Sequence, residues 1–300
     1  MLVLILVSAL VFAVLIFPYD DLSDLIMAKA AQQGVFLDFA HLGLSFFPPS
    51  LRLDKVSVET TMLPPIHAGE IYLSPNLMGL LTLSPGFSAS IDSFLNGSVN
   101  VNYRLTHKLQ NFALSLNDVD LKGLSTFAQL PVVMDGRVQG QIDGAFDPKF
   151  TVQPSGTASI EIRKLHIPQT MVPAWMALTL PDTRISKVIL FGSMGKGELD
   201  VSKATIGRPG DDIYGQMKAS IAMQMSSQDG ETSTQVGSYQ ISLDLTLAPK
   251  IEKNFGSMLS LLNFDQYKMA TADGTRYALQ LSGSGADAPP TPSPLPPGTF

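Results

Sequence analysis

The sequence predicts a mainly β protein, in which an N-terminal transmembrane helix precedes a large, twisted, folded-over antiparallel β-sheet with a few short helices. Two observations carry this prediction. Apolar residues recur at every second position through most of the chain after Gly34, most clearly in 213–225 and 239–247. This period of two places apolar and polar side chains on opposite faces of a strand. The helical patterns are too few and too short to cover the apolar faces of ten or more strands.

The composition excludes several classes of function. Charged residues make up 15% of the 300 residues, and the net charge is −6. Nucleic-acid binding is therefore not expected, because it requires a basic surface. The chain has no cysteine, which excludes a disulfide framework, thiol catalysis and a cysteine-ligated zinc site.

The N-terminus predicts a membrane anchor over residues 1–18. Ser8 is the only polar side chain in the first seventeen residues, and a helix of that length spans roughly 25 Å. Asp20, Asp21 and Asp24 follow, which favours the outer side of the membrane for the remaining chain. The residues expected to contact lipid are Leu2, Leu4, Ile5, Leu6, Leu10, Val11, Phe12, Leu15, Ile16 and Phe17.

A cleaved signal peptide is the alternative interpretation of this segment. The tripeptide Ala28-Lys29-Ala30 has the small-x-small form of a cleavage site, but it lies well beyond the apolar run. It also falls inside an amphipathic helical pattern over 19–34, which an aspartate can cap and Gly34 can end. We therefore favour the uncleaved anchor followed by a linker helix.

Residues 35–283 are predicted to form the β domain. Alternation occurs at 42–46, 51–58, 99–105, 138–146, 158–162, 199–201, 213–225, 239–247 and 277–281. The parity slips at Asp54-Lys55, as a bulge or corner would produce, and Asn96-Gly97 predicts a turn. Short helices are expected at 76–81, 121–130, 171–180 and 251–264. The polar stretch 226–238 is expected to be a hairpin loop, and the Pro-rich residues 284–300 a disordered or polyproline-like tail.

The apolar sides of these strands must face other strands. A half-apolar sheet without helical cover packs on a second sheet, closes on itself or folds over. The residues expected to line the resulting core or groove are Val138, Ile142, Phe146, Ile213, Met217, Ile221, Met223, Met225, Tyr239, Ile241, Leu243 and Leu245. The three methionines fit either a packed core or an adaptable groove for acyl chains or a hydrophobic partner segment.

The sequence predicts no catalytic residue, metal site or cofactor. The four histidines (His41, His67, His107 and His166) are far apart, without the short spacing of metal ligands. FGSMGKG at 191–197 lacks the Ser or Thr of a phosphate loop, so a hairpin turn is the better interpretation. The adjacent Asp211 and Asp212 are interpreted as a solvated turn rather than a cation site.

Several segments, taken in order, resemble a known family. The apolar segment ends in Phe17-Pro18, and FFPPSLRLDKVSVE, IHAGEIYLSPNLMGLL, GDDIYGQMKASI and DGTRYALQLSGS follow downstream. This order is similar to the shorter, divergent branch of the GspN family of the type II (general) secretion pathway, and more widely to AsmA-like proteins with a taco-like β groove.

The resemblance implies a function without catalysis. A GspN protein would be a single-pass protein of the bacterial inner membrane, with a periplasmic β domain that binds other secretion-system envelope proteins. The alternative, an AsmA-like protein, would be a lipid-binding or lipid-transfer module of the envelope, with phospholipid or another acyl-chain lipid as its partner.

Overall fold

The computed structural model describes residues 19–300 except 33–34, 47–48, 61–64, 77–78, 80–83, 107–108, 129, 131, 148, 173–177, 229–230, 262–263 and 286–289. Its helices are α1 (Tyr19–Gln32), α2 (Leu121–Phe127), α3 (Pro249–Leu261) and a 3-10 helix (Phe264–Tyr267). Its strands are β1 (Val35–Asp38), β2 (His41–Phe46), β3 (Pro49–Thr60), β4 (Ile66–Pro75), β5 (Gly86–Phe94), β6 (Gly97–Thr106), β7 (Leu109–Asp120), β8 (Asp135–Phe146), β9 (Ser155–Ile167), β10 (Thr170–Val172), β11 (Leu178–Leu180), β12 (Thr183–Gly195), β13 (Glu198–Ile206), β14 (Ile213–Gln228), β15 (Glu231–Leu247), β16 (Lys268–Thr271), β17 (Gly274–Gly283) and β18 (Thr291–Pro294).

Sixteen of the strands form one antiparallel sheet. From β3 to β15 each strand pairs with the next strand along the chain, apart from a small β10–β11 hairpin inserted between β9 and β12. β15 then pairs with β17. This meander confirms the prediction of a mainly β chain with one large antiparallel sheet and few short helices.

Both edges of the sheet are covered by short strands. β1 and β2 lie end to end along β3, and β16 and β18 lie end to end along β17. Short strands limit further pairing at a sheet edge. Pro292 and Pro294 in β18 add to this, because proline has no backbone N–H to donate.

A line in which left-handed residues alternate with glycines crosses the sheet, and we call it the bulge seam. Every second strand from β3 to β9 contributes one residue with φ between 50° and 60°, and the strands between them contribute a glycine. In strand order these residues are Lys55, Gly69, Ser93, Gly97, Asp118, Gly136 and Lys164. A Cβ added to Gly97 would lie 2.7 Å from the carbonyl oxygen of Asp118, so the seam requires glycine there.

The bulge seam changes which side chains face the core. Leu53 and Val56 lie on either side of Lys55 at positions of opposite parity, yet both are almost completely buried in one cluster. The predicted parity slip at Asp54-Lys55 is therefore confirmed. A bulge residue bends its strand and increases the local twist. The bulge seam places such residues at the same level in several strands, so these strands bend together.

The helices α2 and α3 cover one end of the sheet. α2 follows directly after β7 and α3 follows β15, and both strands end on the same side, which we call the helix end. Leu121 of α2 packs in a core with Val138 and Leu165, and Ile251 of α3 packs in another with Leu279. The buried apolar side chains are thus concentrated at this end and around β3.

The segment Gly210-Asp211-Asp212 attaches the β13–β14 connection to β12. One carboxylate oxygen of Asp211 accepts hydrogen bonds from the backbone N–H and the hydroxyl of Ser186 and from the N–H of Arg208, at 2.9, 2.6 and 3.0 Å. Asp212 accepts from the N–H of Arg184 at 2.7 Å. β13 pairs with β12 only as far as Val188. Beyond that residue the two carboxylates accept the backbone hydrogen bonds that a neighbouring strand would otherwise accept. The predicted turn is present at residues 209–212, but its two carboxylates are half-buried and bond to the backbone of β12.

Other local predictions can be compared with the structure. The helices expected at 121–130 and 251–264 are confirmed as α2 and α3. The Asn96-Gly97 turn is present, although Leu95 and Asn96 are its positive-φ residues. The 191–197 segment is confirmed as a hairpin, since β12 turns at Lys196 and Gly197 into β13. The helix expected at 76–81 lies almost wholly outside the described residues.

Three predicted segments differ from the structure. The helix expected at 171–180 is replaced at its described ends by β10 and β11, because Pro173 disfavours a helix interior. The loop expected at 226–238 belongs largely to β14 and β15, where Ser, Thr and Val favour an extended chain. The tail expected to be disordered or polyproline-like contains β18, since prolines are tolerated on an edge strand.

No helix among the described residues is long and apolar enough to cross a membrane. The predicted anchor, residues 1–18, lies outside the described residues. The predicted linker helix over 19–34 is observed as α1.

Candidate apolar ligand-binding face

One continuous row of apolar and small residues runs across the sheet, and we call it the apolar ladder. Each member lies directly opposite the next in the strand register. In order they are Leu42, Leu53, Ile71, Ile91, Val99, Leu116, Gly140, Ile160, Leu190, Ala204, Met217, Leu243, Leu279 and Pro294. At about 4.8 Å per strand the row extends roughly 60 Å. The side of the sheet that carries it is the apolar face.

The opposite side is the polar face. A parallel row of opposed residues there consists of Arg52, Tyr72, Ser90, Asn100, Ser115, Gln141, Ser159 and Phe191. Seven of the eight carry polar groups, so the two sides differ in chemistry along the same strands. Water solvates one side, while the other needs an apolar partner.

All twelve predicted lining residues lie on the apolar face. Val138 is only 3% exposed, while the other eleven are half-buried. The exposure of a lining residue depends on its distance from the helix end. Val138 lies under α2 at that end, whereas Ile142 lies further along the same strand. The lining is therefore packed at the helix end and accessible beyond it.

Two of the three methionines of β14 lie where this strand extends beyond β13. Met217 opposes Ala204 and Leu243 in the apolar ladder. Met223 and Met225 follow past the last paired residue of β13, and Met223 opposes Val236, which is 37% exposed. At Met225 the side chain of Gln153 replaces a strand, since its amide exchanges two hydrogen bonds of 2.9 Å with that backbone.

A cavity of about 190 Å³ lies between α3 and the sheet. The described residues that line it are Leu243, Leu245, Leu247, Phe255, Phe264, Tyr277 and Leu279. Leu243 and Leu245 are half-buried, whereas Tyr277 and Leu279 are at most 5% exposed. The cavity is thus continuous with the accessible apolar face on one side and bounded by buried side chains on the other.

Only part of this cavity is predictable from the sequence. Leu243 and Leu245 belong to the predicted lining, whereas Phe255, Phe264 and Tyr277 do not. The helical pattern at 251–264 could have indicated the other lining residues. It lies in the sequence between β15 and β17, which pair with each other, so the helix must pack near both strands.

A cluster of charged groups around His166 ties α3 to the sheet. His166 shares a hydrogen bond of 2.6 Å with Asp182, and this bond lowers the pKa of the Asp182 carboxyl below its ordinary value. Lys250, in the first turn of α3, donates to the carbonyl oxygen of Asp182 at 2.8 Å. This contact ties the start of α3 to the residues just before β12.

The described residues contain no cluster of histidine and acidic side chains that could hold a metal ion. His41 and His67 are exposed, and His107 lies outside the described residues. The contacts of His166 are with aspartates, and they join the strands of one sheet.

Comparison with known proteins gives no match. No family model matches the chain, and neither a curated protein nor a solved structure does. The resemblance to GspN and AsmA-like proteins therefore remains a prediction from the sequence.

Proposed function

We propose that this protein binds the acyl chains of lipid on its apolar face and performs no catalysis. The observation that carries the proposal is the apolar ladder, an uninterrupted row of apolar and small residues on one side of the sheet. Five of its members are buried, namely Leu53, Ile71, Val99, Ala204 and Leu279. Seven more side chains are half-buried and open to a ligand, namely Leu42, Ile91, Leu116, Ile160, Leu190, Met217 and Leu243. Soluble proteins rarely leave a contiguous apolar patch larger than a few hundred Å² without a partner. A flexible apolar chain can lie along part of this surface.

The energetics favour an acyl chain as the ligand. Burial of each methylene contributes about 0.8 kcal/mol. About ten buried methylenes therefore give ~8 kcal/mol, which corresponds to a dissociation constant in the micromolar range. No reactive or charged group is needed at the lining, and the chemistry of the lining residues is consistent with that.

We also propose that the sheet is folded over and that it lies in the periplasm. The bulge seam supports a twisted, folded-over sheet, because bulges at one level in several strands bend them together. The apolar residues 1–17 and the aspartates after them support an anchor in the bacterial inner membrane with the sheet in the periplasm. There the apolar face would have access to membrane lipid.

Photo-crosslinking in living cells tests the proposal on the full chain. The photoreactive amino acid p-benzoylphenylalanine is placed at Ile142 on the apolar face and, as a matched control, at its neighbour Gln141 on the polar face. We expect mass spectrometry to detect lipid adducts at position 142 and not at 141. Equal adducts at both positions, or none at either, would overturn the proposal.

The β14–β15 hairpin favours a second candidate, the binding of a partner protein. Residues 231–238 of β15 extend beyond Gly283, the last residue of β17 that pairs with it. An exposed strand edge of this kind can pair with an extended segment of another protein. A partner among the secretion-system envelope proteins would fit the resemblance described above.

Shortening this hairpin tests the second candidate. Replacement of residues 225–234 by Asn-Gly joins the opposed residues Gln224 and Gln235 through a two-residue turn. We expect chemical cross-linking in membranes to recover secretion-system proteins with the full chain and to lose them with the shortened hairpin. Recovery of the same proteins with both chains would exclude this edge as the contact.

A further inference from the structure

We propose that the cavity beneath α3 receives the methyl end of one acyl chain and thereby sets the preferred chain length. This inference rests on the proposed function, because it concerns one end of the same apolar face. The cavity lies where the face passes under α3. Leu243 and Leu245 belong both to the accessible lining and to the cavity wall, so a chain lying along the face can enter without crossing a polar barrier.

The polar groups near the cavity bond to one another. The hydroxyl of Thr275 donates to one carboxylate oxygen of Glu252 at 2.5 Å, and the Tyr277 hydroxyl approaches the other at 3.5 Å. Burial and the nearby carboxylate raise the pKa of Tyr277 above its ordinary value, so the hydroxyl stays protonated. These contacts join α3 to β17 across the wall of the cavity.

This arrangement determines which end of a lipid the cavity accepts. Among the described lining side chains, all but Tyr277 are hydrocarbon, and the Tyr277 hydroxyl points to Glu252. A head group placed against them would leave water without gaining hydrogen bonds from them. Burial of an unpaired polar group is unfavourable. A hydrocarbon end loses nothing there, so the head group must lie along the face or outside it.

The volume of the cavity limits the length of chain that enters. A cavity of 150 Å³ with a lining of Leu, Ile and Phe holds the six carbons of benzene, so about 190 Å³ holds roughly seven carbons. A helix, which is about 10 Å wide with its side chains, is too wide to enter. The cavity is thus suited to one chain end.

Two cavity variants and one matched control test the proposal. Leu245→Trp fills the cavity, Leu243→Ala enlarges it, and Ile142→Trp places the same large side chain on the apolar face away from α3. The full-length protein is purified in a mild detergent, and saturated fatty acids from octanoate to eicosanoate compete against a fluorescent fatty acid. Circular dichroism confirms the β content of each variant.

The expected result is a change in length preference at the cavity only. We expect Leu245→Trp to exclude about two methylenes and so to lower the affinity for the longest chains about tenfold relative to short ones. Leu243→Ala should shift the preference to longer chains, and Ile142→Trp should change all affinities by a similar factor. The Leu243→Ala result also decides the question if Leu245→Trp does not fold.

The outcomes separate this inference from the proposed function. If the wild-type protein binds fatty acids but all variants keep its length profile, the chain end does not occupy the cavity and the proposed function stands. If the wild-type protein binds no fatty acid of the series, the proposed function and this inference both fail.

Discussion

Asp211 accepts two hydrogen bonds from Ser186 through a single carboxylate oxygen, one from its backbone N–H and one from its hydroxyl. The two residues are 25 positions apart, and the contact closes the edge of β12 beyond the point where β13 has ended. Partial burial of Asp211 opposes ionisation, but the hydrogen bonds from Ser186 and Arg208 outweigh it. The pKa of the carboxyl therefore lies below its ordinary value of 3.8.

Replacement of Asp211 by alanine should destabilise the protein by about 1–3 kcal/mol, because two backbone N–H groups and a hydroxyl lose their acceptor. Chemical denaturation at neutral pH measures the change in the free energy of unfolding. Asp273→Ala is the matched control, since this carboxylate lies in an exposed turn and has a single hydrogen bond at 3.3 Å, from Tyr214. An equal loss in both variants would contradict the role given to Asp211.

The pH dependence of Asp211 follows from the direction of its pKa shift. A carboxyl with a lowered pKa in the folded state contributes stability that is fully present above its unfolded value of 3.8 and is lost as the pH falls through the folded value. We expect the stability difference between the wild type and Asp211→Asn to be constant above about pH 5 and to shrink below pH ~4. A difference that grows on acidification would contradict this assignment.

Gly97→Ala should destabilise the protein by about 1–3 kcal/mol through overpacking at the bulge seam. The added Cβ would lie 2.6 Å from the carbonyl oxygen of Asn117 and 2.7 Å from that of Asp118, and backbone atoms cannot rotate away. Gly195→Ala, at the end of β12, is the control, because its Cβ would meet nothing within 4 Å. Thermal unfolding of both variants measures the difference, and equal midpoints would contradict a tightly packed seam.

Ile142→Lys should lower the affinity for fatty acid about tenfold or more, whereas Gln141→Lys should leave it nearly unchanged. The two residues are neighbours on β8 and lie on opposite faces of the sheet. An ammonium group on the apolar face would have to leave water when a chain covers it, which is unfavourable. Competition against a fluorescent fatty acid measures both affinities, and equal effects would show that the ligand does not lie on this face.

The sequence predicted the two faces of the sheet well because alternation is a local property. The side on which Met217 or Leu243 lies depends only on its parity within its own strand. The seam was predicted only at Lys55, where the apolar pattern changes phase. At Ser93, Asp118 and Lys164 the left-handed conformation depends on glycines of adjacent strands, and no local pattern reports these contacts.

The cavity beneath α3 could not be predicted from the sequence for the same reason, because it is formed by tertiary contacts. The sequence indicated a helix at 251–264 and strands on either side of it, but not the side of the sheet on which the helix packs. Two contacts settle its position in the fold. Ile251 is completely buried against the sheet, and Lys250 bonds to the carbonyl of Asp182. Asp182 and Leu279, which these two residues contact, are far from α3 in the sequence.

Removal of β18 should cause the protein to self-associate through the exposed edge of β17. β18 pairs with Leu279–Ser282 of β17, and Tyr267 donates to the carbonyl oxygen of Pro292 at 3.1 Å. Truncation after Gly285 removes this cover, and an unpaired edge strand is a template for pairing with another chain. We expect light scattering to show a mass that rises with concentration.

A shorter truncation, after Pro294, is the control for this experiment. It keeps β18 but removes the last six residues, in which the carbonyl oxygen of Thr299 accepts a hydrogen bond from Lys218 on the polar face. We expect this variant to keep the mass of the full-length chain. Self-association of both variants would show that the contact of the last residues with β14, rather than the cover of β17, prevents association. A constant mass in both would show that the β17 edge does not need its cover, because the neighbouring β16 and the twist of the sheet already prevent pairing.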